Sequence, residues 1–253
     1  MVSMARILAI HAHPDDVEIL AGGTVALLAG RGHAVTIATL TPGDCGSHEF
    51  GPEEIANIRR REAAAAAARI GAAYLCLEFR DLAIFNDDAG RRRVTEALRQ
   101  ARAEIVLAPS PADYHCDHEA ASVLVRDACF AASAPNYRTA SPASDAIPHL
   151  YFIDPVDGCD REGNLIRPDF IVNVADVFGR KREMLAEHAS QRNWLRKQHG
   201  IPDYVALMEE WTRKRGALAG VSHGEGFRQY RGHPYPQTPL LQELLSAAAI
   251  PLG

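Results

Sequence analysis

Short apolar runs alternate with helix-patterned runs through the first half of the chain. This alternation constrains the fold more than any other feature of the sequence. Arg6–Ile10 (RILAI) reads as a buried strand, and Gly22–Arg31 (GGTVALLAGR) has helical spacing and stops at Gly32. Ala34–Leu40 (AVTIATL) is a second strand, closed by the turn signal TPGD. Pro52–Ile70 is a strong helix, with Glu53 and Glu54 in its first turn, an alanine run at Ala63–Ala68 and Gly71 at its end. Tyr74–Phe79, Arg91–Arg102, Glu104–Ser110 and His118–Ala132 continue the series as strand, helix, strand and helix. Such a series predicts an α/β fold with a mostly parallel sheet and helices on both faces. Ligands of such sheets bind beyond the carboxyl ends of the strands, so polar clusters that follow strands are the places to look for chemistry.

The second half is less regular. His149–Asp154 and Asp169–Val174 read as further strands, Asp176 as the cap of a long charged helix through Arg192, and Asp203–Arg215 as another helix. Ala134–Pro148 is rich in Ser, Pro and Ala and reads as a loop, and the C-terminal LLQELLSAAAI as a packing helix. The 253 residues show no repeat and no linker, so one domain over 1–253 is expected. A net charge of −5 argues against a nucleic-acid partner. No apolar run approaches the roughly 20 residues of a membrane span. The apolar part of MVSMARILAIHAHPDD is too short for a secretory leader. The 5 cysteines form no CxxC pair and suggest no disulfide framework. A cytoplasmic setting is the default expectation.

Two polar clusters stand out. His13-Pro14-Asp15-Asp16-Val17-Glu18 follows the first strand, and Asp113-Tyr114-His115-Cys116-Asp117-His118-Glu119 follows the fourth. Adjacent carboxylates such as Asp15 and Asp16 repel each other unless a cation lies between them or they do different work. If both strands are central and parallel, two imidazoles and a carboxylate can converge on one metal ion. Catalytic zinc sites take three such ligands and keep one position for water, whose pKa falls to about 7. A neighbouring carboxylate that is not a ligand can then accept the water's proton. Spacing alone leaves open which aspartate does which. Asp-Asp ahead of a helix also serves as a plain N-cap.

HAHPDDVE followed by GGT, and later DYHCDHEAA, resemble the zinc-dependent N-deacetylases of the LmbE-like, or PIG-L, family. TLTPGDCGS, Arg59 and Glu62 ahead of the Ala-rich helix, and EHASQ at Glu187–Gln191 extend the similarity over the first two hundred residues or so. The resemblance implies a Rossmann-like fold and removal of an acetyl group from an N-acetylglucosamine-type small-molecule substrate. It implies His13, Asp16 and His118 as ligands of Zn2+, with Fe2+ as an alternative the same ligand types accept. It implies Asp15 as general base and His115 as the group that stabilises the oxyanion or protonates the leaving amine. It implies Asp117 as the residue that orients His115, and Arg59 as an arginine facing the substrate. Cys116 departs from the family's proline, and FRDLAIFND lacks its Pro-Asp-Gly, although Asp81 matches the family's aspartate there.

Other features carry blander readings. His11 is expected to pack beside the site, Cys116 to be a non-ligand, and His188 to lie either on a surface helix or in the pocket. His223 and His233 read as loop histidines. Gly220-Val221-Ser222-His223-Gly224 fits the serine elbow G-x-S-x-G but follows a helix end, where an elbow needs a strand. A deacylase of a larger glycoside or natural product would use the same residues. A non-catalytic metal- or sugar-binding module would have no use for Asp15 and His115. A homo-oligomer is compatible with the sequence, although the LLQELL stripe reads as core.

Overall fold

A computed structural model of the chain describes residues 4–200 and 203–253; Met1–Ser3, the start of the stretch read for a leader, lie outside it. The expected alternation is present. β1 (Arg6–His11), α1 (Asp16–Gly30), β2 (Ala34–Thr39), α2 (Pro52–Ala68), β3 (Ala73–Cys76), α3 (Asp88–Ala101), β4 (Ile105–Ala108) and α4 (Cys116–Ala132) follow in order. β5 (His149–Ile153) and β6 (Phe170–Asn173) come next, then α5 (Phe178–Ala186), α6 (Ala189–His199) and α7 (Tyr204–Ala217). β7 (Gly224–Gln229), α8 (Leu240–Leu245) and β8 (Ala249–Pro251) complete the chain.

All eight strands share one sheet in the order β3-β2-β1-β4-β5-β7-β6-β8. β3, β2, β1, β4 and β5 are mutually parallel. β7 runs antiparallel to β5 and β6, and β8 antiparallel to β6. Ile7 and Ala9 of β1 pack into a core on one face, with Val25 and Leu28. Leu8 and Ile10 pack into a core on the other, with Leu98 and Leu124. That is why RILAI reads as a continuous apolar run and shows no alternation. Strand order reverses between β1 and β4, and a crevice opens at such a switch point, outside the carboxyl ends. Both polar clusters sit there.

α1 begins at Asp16, six residues before the expected Gly22, so the HPDD cluster is itself the start of the helix. The glycines of GGT serve packing. A Cβ on Gly23 would fall 2.6 Å from Val174 Cβ, and one on Gly22 3.2 Å from Lys181 Cγ. Through this opening the buried Glu225 of β7 accepts from Gly23 N (2.8 Å), Thr24 N (2.7 Å), Thr24 Oγ1 (2.6 Å) and Lys181 Nζ (2.7 Å).

Two expectations about the second half need correction, and one strand was not anticipated. The single helix from Asp176 to Arg192 is two, with α5 ending at Ala186 and α6 starting at Ala189. The carboxylate of Glu62 accepts from Ser190 N (2.9 Å) and Ser190 Oγ (2.6 Å), which anchors the start of α6 separately. LLQELLSAAAI is α-helical only to Leu245; Ser246 (φ 48°) breaks the helix, and a 3-10 turn over Ser246–Ala248 leads into β8. The glycine-rich stretch after Gly220 contains β7, an interior strand. Its glycines permit close approach: a Cβ on Gly224 would fall 2.5 Å from Ile171 Cγ2, and one on Gly226 2.1 Å from Asp154 Oδ2. The G-x-S-x-G match thus lies between a helix and a strand, the reverse of an elbow. No helix among the described residues is long and apolar enough to cross a membrane. The five cysteines are free.

Candidate active site and metal centre

Asp15 is the residue before α1, with φ 99° and no side-chain bond to the helix amides. The plain N-cap account of Asp-Asp therefore does not describe it. A left-handed non-glycine residue costs of order 1–3 kcal/mol, and such strain clusters at functional sites. Here it turns the Asp15 carboxylate toward the cavity, where Tyr204 OH donates to Oδ2 and Arg59 NH2 lies 3.4 Å from Oδ1.

Asp16 lines the same cavity but has different partners. Its Oδ2 accepts from His13 N at 2.8 Å and lies 2.7 Å from His11 Nδ1, 3.4 Å from His13 Nδ1 and 3.4 Å from His118 Nε2. The two adjacent carboxylates thus have separate surroundings, one a tyrosine and an arginine, the other a ring of imidazoles. His13, His115 and His118 form a group of donor atoms all within 4.8 Å of one another, and His11, Asp16 and His118 form a second. His118 belongs to both. His115, Cys116 and Asp117 make a third group and Asp44, Cys45 and Asp81 a fourth, each holding an exposed cysteine.

The donor set fits a divalent cation. Imidazole and carboxylate are the ligand types of catalytic zinc and non-haem iron. Asp113 Oδ1 lies 3.1 Å from His118 Nδ1, the carboxylate–histidine arrangement that orients a metal-binding ring. Burial works against charge on His13, but its bonds to Asp117 and Asp16 prevail and raise its pKa to about 9. His118 is likewise raised to about 10, against burial, by Asp16 and Asp113. The carboxylates draw protons to the place where a cation would sit.

His115 sits at the start of α4, and its Nδ1 accepts from Asp117 N at 3.1 Å. In the neutral ring the proton is therefore on Nε2, which can donate. Burial, then His13 and His118, lower the pKa of His115 and favour that neutral form. The expectation that the Asp117 side chain orients His115 needs correction. Its Oδ2 lies 3.2 Å from His13 Nε2 and accepts from Leu82 N at 2.7 Å; only its backbone amide reaches His115.

Arg59 lines the cavity, but its NH2 is committed to Pro14 O (2.6 Å) as well as to Asp15. Gly43 (φ 77°) makes room for it, since a Cβ there would fall 2.1 Å from Arg59 NH1. Asp81 Oδ2 accepts from Cys45 N at 2.8 Å, tying the TPGDC loop to the loop after β3. His188 is buried, 3.5 Å from Glu18 Oε1, and so is on no surface. His223 stacks on Phe178 at 3.9 Å between ring centroids. Sequence reasoning missed the role of Asp113, which it had only as part of a cluster, and missed Tyr204 altogether.

The surrounding cavity measures about 430 Å³ and is closed from the second half by Gln191, Trp194, Tyr204 and Trp211. Its relatives mark the chain as an N-deacetylase, and the His and Asp donors of the site could hold a metal ion. Residues 8–129, just under half of the chain, match the family model described as PIG-L, GlcNAc-PI de-N-acetylase. The diacetylchitobiose deacetylase of Thermococcus kodakarensis is 28% identical over 240 residues, spanning 88% of this chain and 82% of that protein. A 4-oxalmesaconate hydratase of Pseudomonas putida is 28% identical over 194 residues, 74% of each chain. The structure of the N,N'-diacetylchitobiose deacetylase of Pyrococcus horikoshii superposes with a TM-score of 0.75 at 25% identity, covering 92% of this chain and 88% of that one.

Proposed function

We propose that the chain removes the acetyl group from an N-acetylated amino sugar of the N-acetylglucosamine type, with zinc held by His13, Asp16 and His118. The observation that carries the reading is the division of labour between Asp15 and Asp16, adjacent in sequence and separate in surroundings. A zinc ion there would acidify a water molecule and polarise the acetyl carbonyl. Asp15, held by Tyr204 and Arg59, accepts the proton as the water oxygen attacks. His115 donates from Nε2 to the carbonyl oxygen as charge develops there. The same ring or the protonated Asp15 passes a proton to the departing nitrogen, which leaves acetate and a free amine. Asp117 and Asp113 hold His13 and His118 in orientation. The protein works as a single catalytic domain over 1–253.

The hydratase relative makes addition of water to a carbon–carbon double bond the competing reading. Substrates named as carboxylic acids call for free cationic side chains. Among the described residues lining the cavity, Arg59 is the only arginine or lysine, and it is already engaged. A neutral acetamide matches this lining better.

The test is elemental analysis of the purified protein, paired with acetate release from a panel of N-acetylated sugars and with 4-oxalmesaconate as the competing substrate. About one zinc per chain with acetate release is expected. Metal with hydration and no acetate release would transfer the site to the competing reaction. A protein that binds no metal after supplementation would sink both.

A further inference from the structure

Asp113 is wholly buried, and its Oδ1 has two tasks. It accepts from His115 N at 3.2 Å and lies 3.1 Å from His118 Nδ1. The His118 ring therefore takes its bearing from where the turn over 110–113 sets this one carboxylate. A hydrogen bond weakens steeply as its angle departs from linear, so small displacements of the turn matter.

The turn is held from outside at two points. At its start, Ser110 Oγ donates to Ala112 O at 2.7 Å, and Arg228 NH2 of β7 donates to the same hydroxyl at 2.7 Å. At its end, Glu119 in the first turn of α4 reaches back, and its Oε1 accepts from Asp113 N at 3.2 Å. An acidic side chain in a first helical turn is favourable for the helix wherever it points. This one points to the amide of the residue that faces His118. Its other oxygen, Oε2, is taken by Arg161 NH2, from the loop between β5 and β6.

The loop that carries Arg161 is built to present it. Asp160 Oδ1 accepts from Glu162 N and Asn164 N at 2.9 Å each, and Asp160 Oδ2 accepts from Asn164 Nδ2 at 3.0 Å. Cys159 and Leu165 pair across the base of this tip. The guanidinium is thus carried to the start of α4 on an ordered turn, while Val156, earlier in the same loop, lines the cavity of the site. The path from loop to ring runs Arg161, Glu119, Asp113, His118, with a polar contact at each step. Groups around a metal ligand that fix its orientation tune how strongly the metal is held.

We propose that Glu119 and Arg161 are positioning residues for the metal: acting through Asp113, they fix the His118 ring and set how tightly the ion is held. The inference rests on the reading of His118 as a metal ligand. The test is the zinc Kd of the whole chain, measured by competition with a chelator of known affinity, together with the visible spectrum of the cobalt-substituted protein. The Arg161 and Glu119 side chains are 60% and 22% exposed, so their variants should fold. Glu119→Ala should weaken zinc binding about tenfold and alter the cobalt spectrum, which reports ligand geometry. Glu119→Gln keeps an oxygen acceptor for the Asp113 amide and should restore most of the affinity. Arg161→Glu sets two carboxylates against each other and should approach the Glu119→Ala value. Unchanged affinity and an unchanged cobalt spectrum in Glu119→Ala overturn the proposal even if Tm falls, since a helix-end contact alone would do no more than that. Unchanged affinity in Arg161→Glu overturns the part given to the loop. His118→Ala keeps the two readings apart. Zinc retained there would sink the ligand set itself, whereas zinc lost there and held at wild-type strength in Glu119→Ala would sink the positioning role alone.

Discussion

The two halves of the sheet are put together by different forces. In residues 4–132, strand interiors are apolar on both faces apart from Thr36 and Tyr74, and the charged side chains lie at or beyond the strand ends. Strand burial and the pairing of β1 with β4 bring HPDD and DYHCDH side by side, and contacts such as His13 Nε2 to Asp117 Oδ2 (3.2 Å) join them. From residue 149 onward, elements are placed by polar contacts that span the chain: Glu225 with α1, Tyr204 with Asp15, Ser190 with Glu62. The first half supplies the atoms that would bind metal and move protons. The second half supplies their cover and what holds the base. Chemistry and selectivity can therefore vary separately, which suits the different reaction names carried by the proteins this chain is similar to.

Variants on either side of this division test it. His118→Ala should have the largest effect, with metal below a tenth of an ion per chain and activity down at least about 10³-fold, while the sheet stays folded. Full metal occupancy with retained circular dichroism would remove His118 from the ligand set. Asp15→Asn should keep its metal and lose about 10²–10⁴ in kcat; a near wild-type rate would reassign the base. Glu225→Gln acts from the other half. It leaves Lys181 buried and uncompensated, and should cost roughly 3–5 kcal/mol in urea unfolding. Turnover per folded molecule should barely change; a comparable collapse in turnover would mean the halves are not separable.

The smallest effect concerns pH, far from the site. Burial raises the pKa of Glu96, but bonds from the Ser141 amide and the hydroxyls of Thr139 and Ser141 outweigh it and hold the group at about 2. Its unfolded value is 4.5, so this tether contributes fully above that pH and is lost as pH falls toward about 2. Glu96→Gln should flatten the fall of Tm between about pH 5 and about pH 2.5. An unaltered slope would show that the tether of the 133–148 loop carries no stability.

What could be read from the chain beforehand follows the same division. β1 to α4 and the two clusters are written in local periodicity and in adjacent side chains. The partner of each carboxylate is not. Asp117 and Asp113 both lie within reach of histidines, and only the course of the backbone into α4 sends one to His13 and the other to His118. β7 escaped notice because its sequence, GEGFRQ, answers to Ile171 and Asp154, not to strand propensity. Tyr204 stands 189 positions from the carboxylate it holds, with no motif around it.

The position of β7 has a consequence for how the protein is made. It pairs with β5 and β6 but is synthesised after both. About seventy residues separate Ile153 from Gly224, so at ribosomal speed β5 waits on the order of ten seconds for its neighbour. All the side chains proposed to bind metal have been synthesised by then, and α7, which covers them, has only just followed. During that interval the bare edge of β5 is a template for any extended segment nearby, and a transcript truncated before Gly224 would leave it open for the life of the polypeptide.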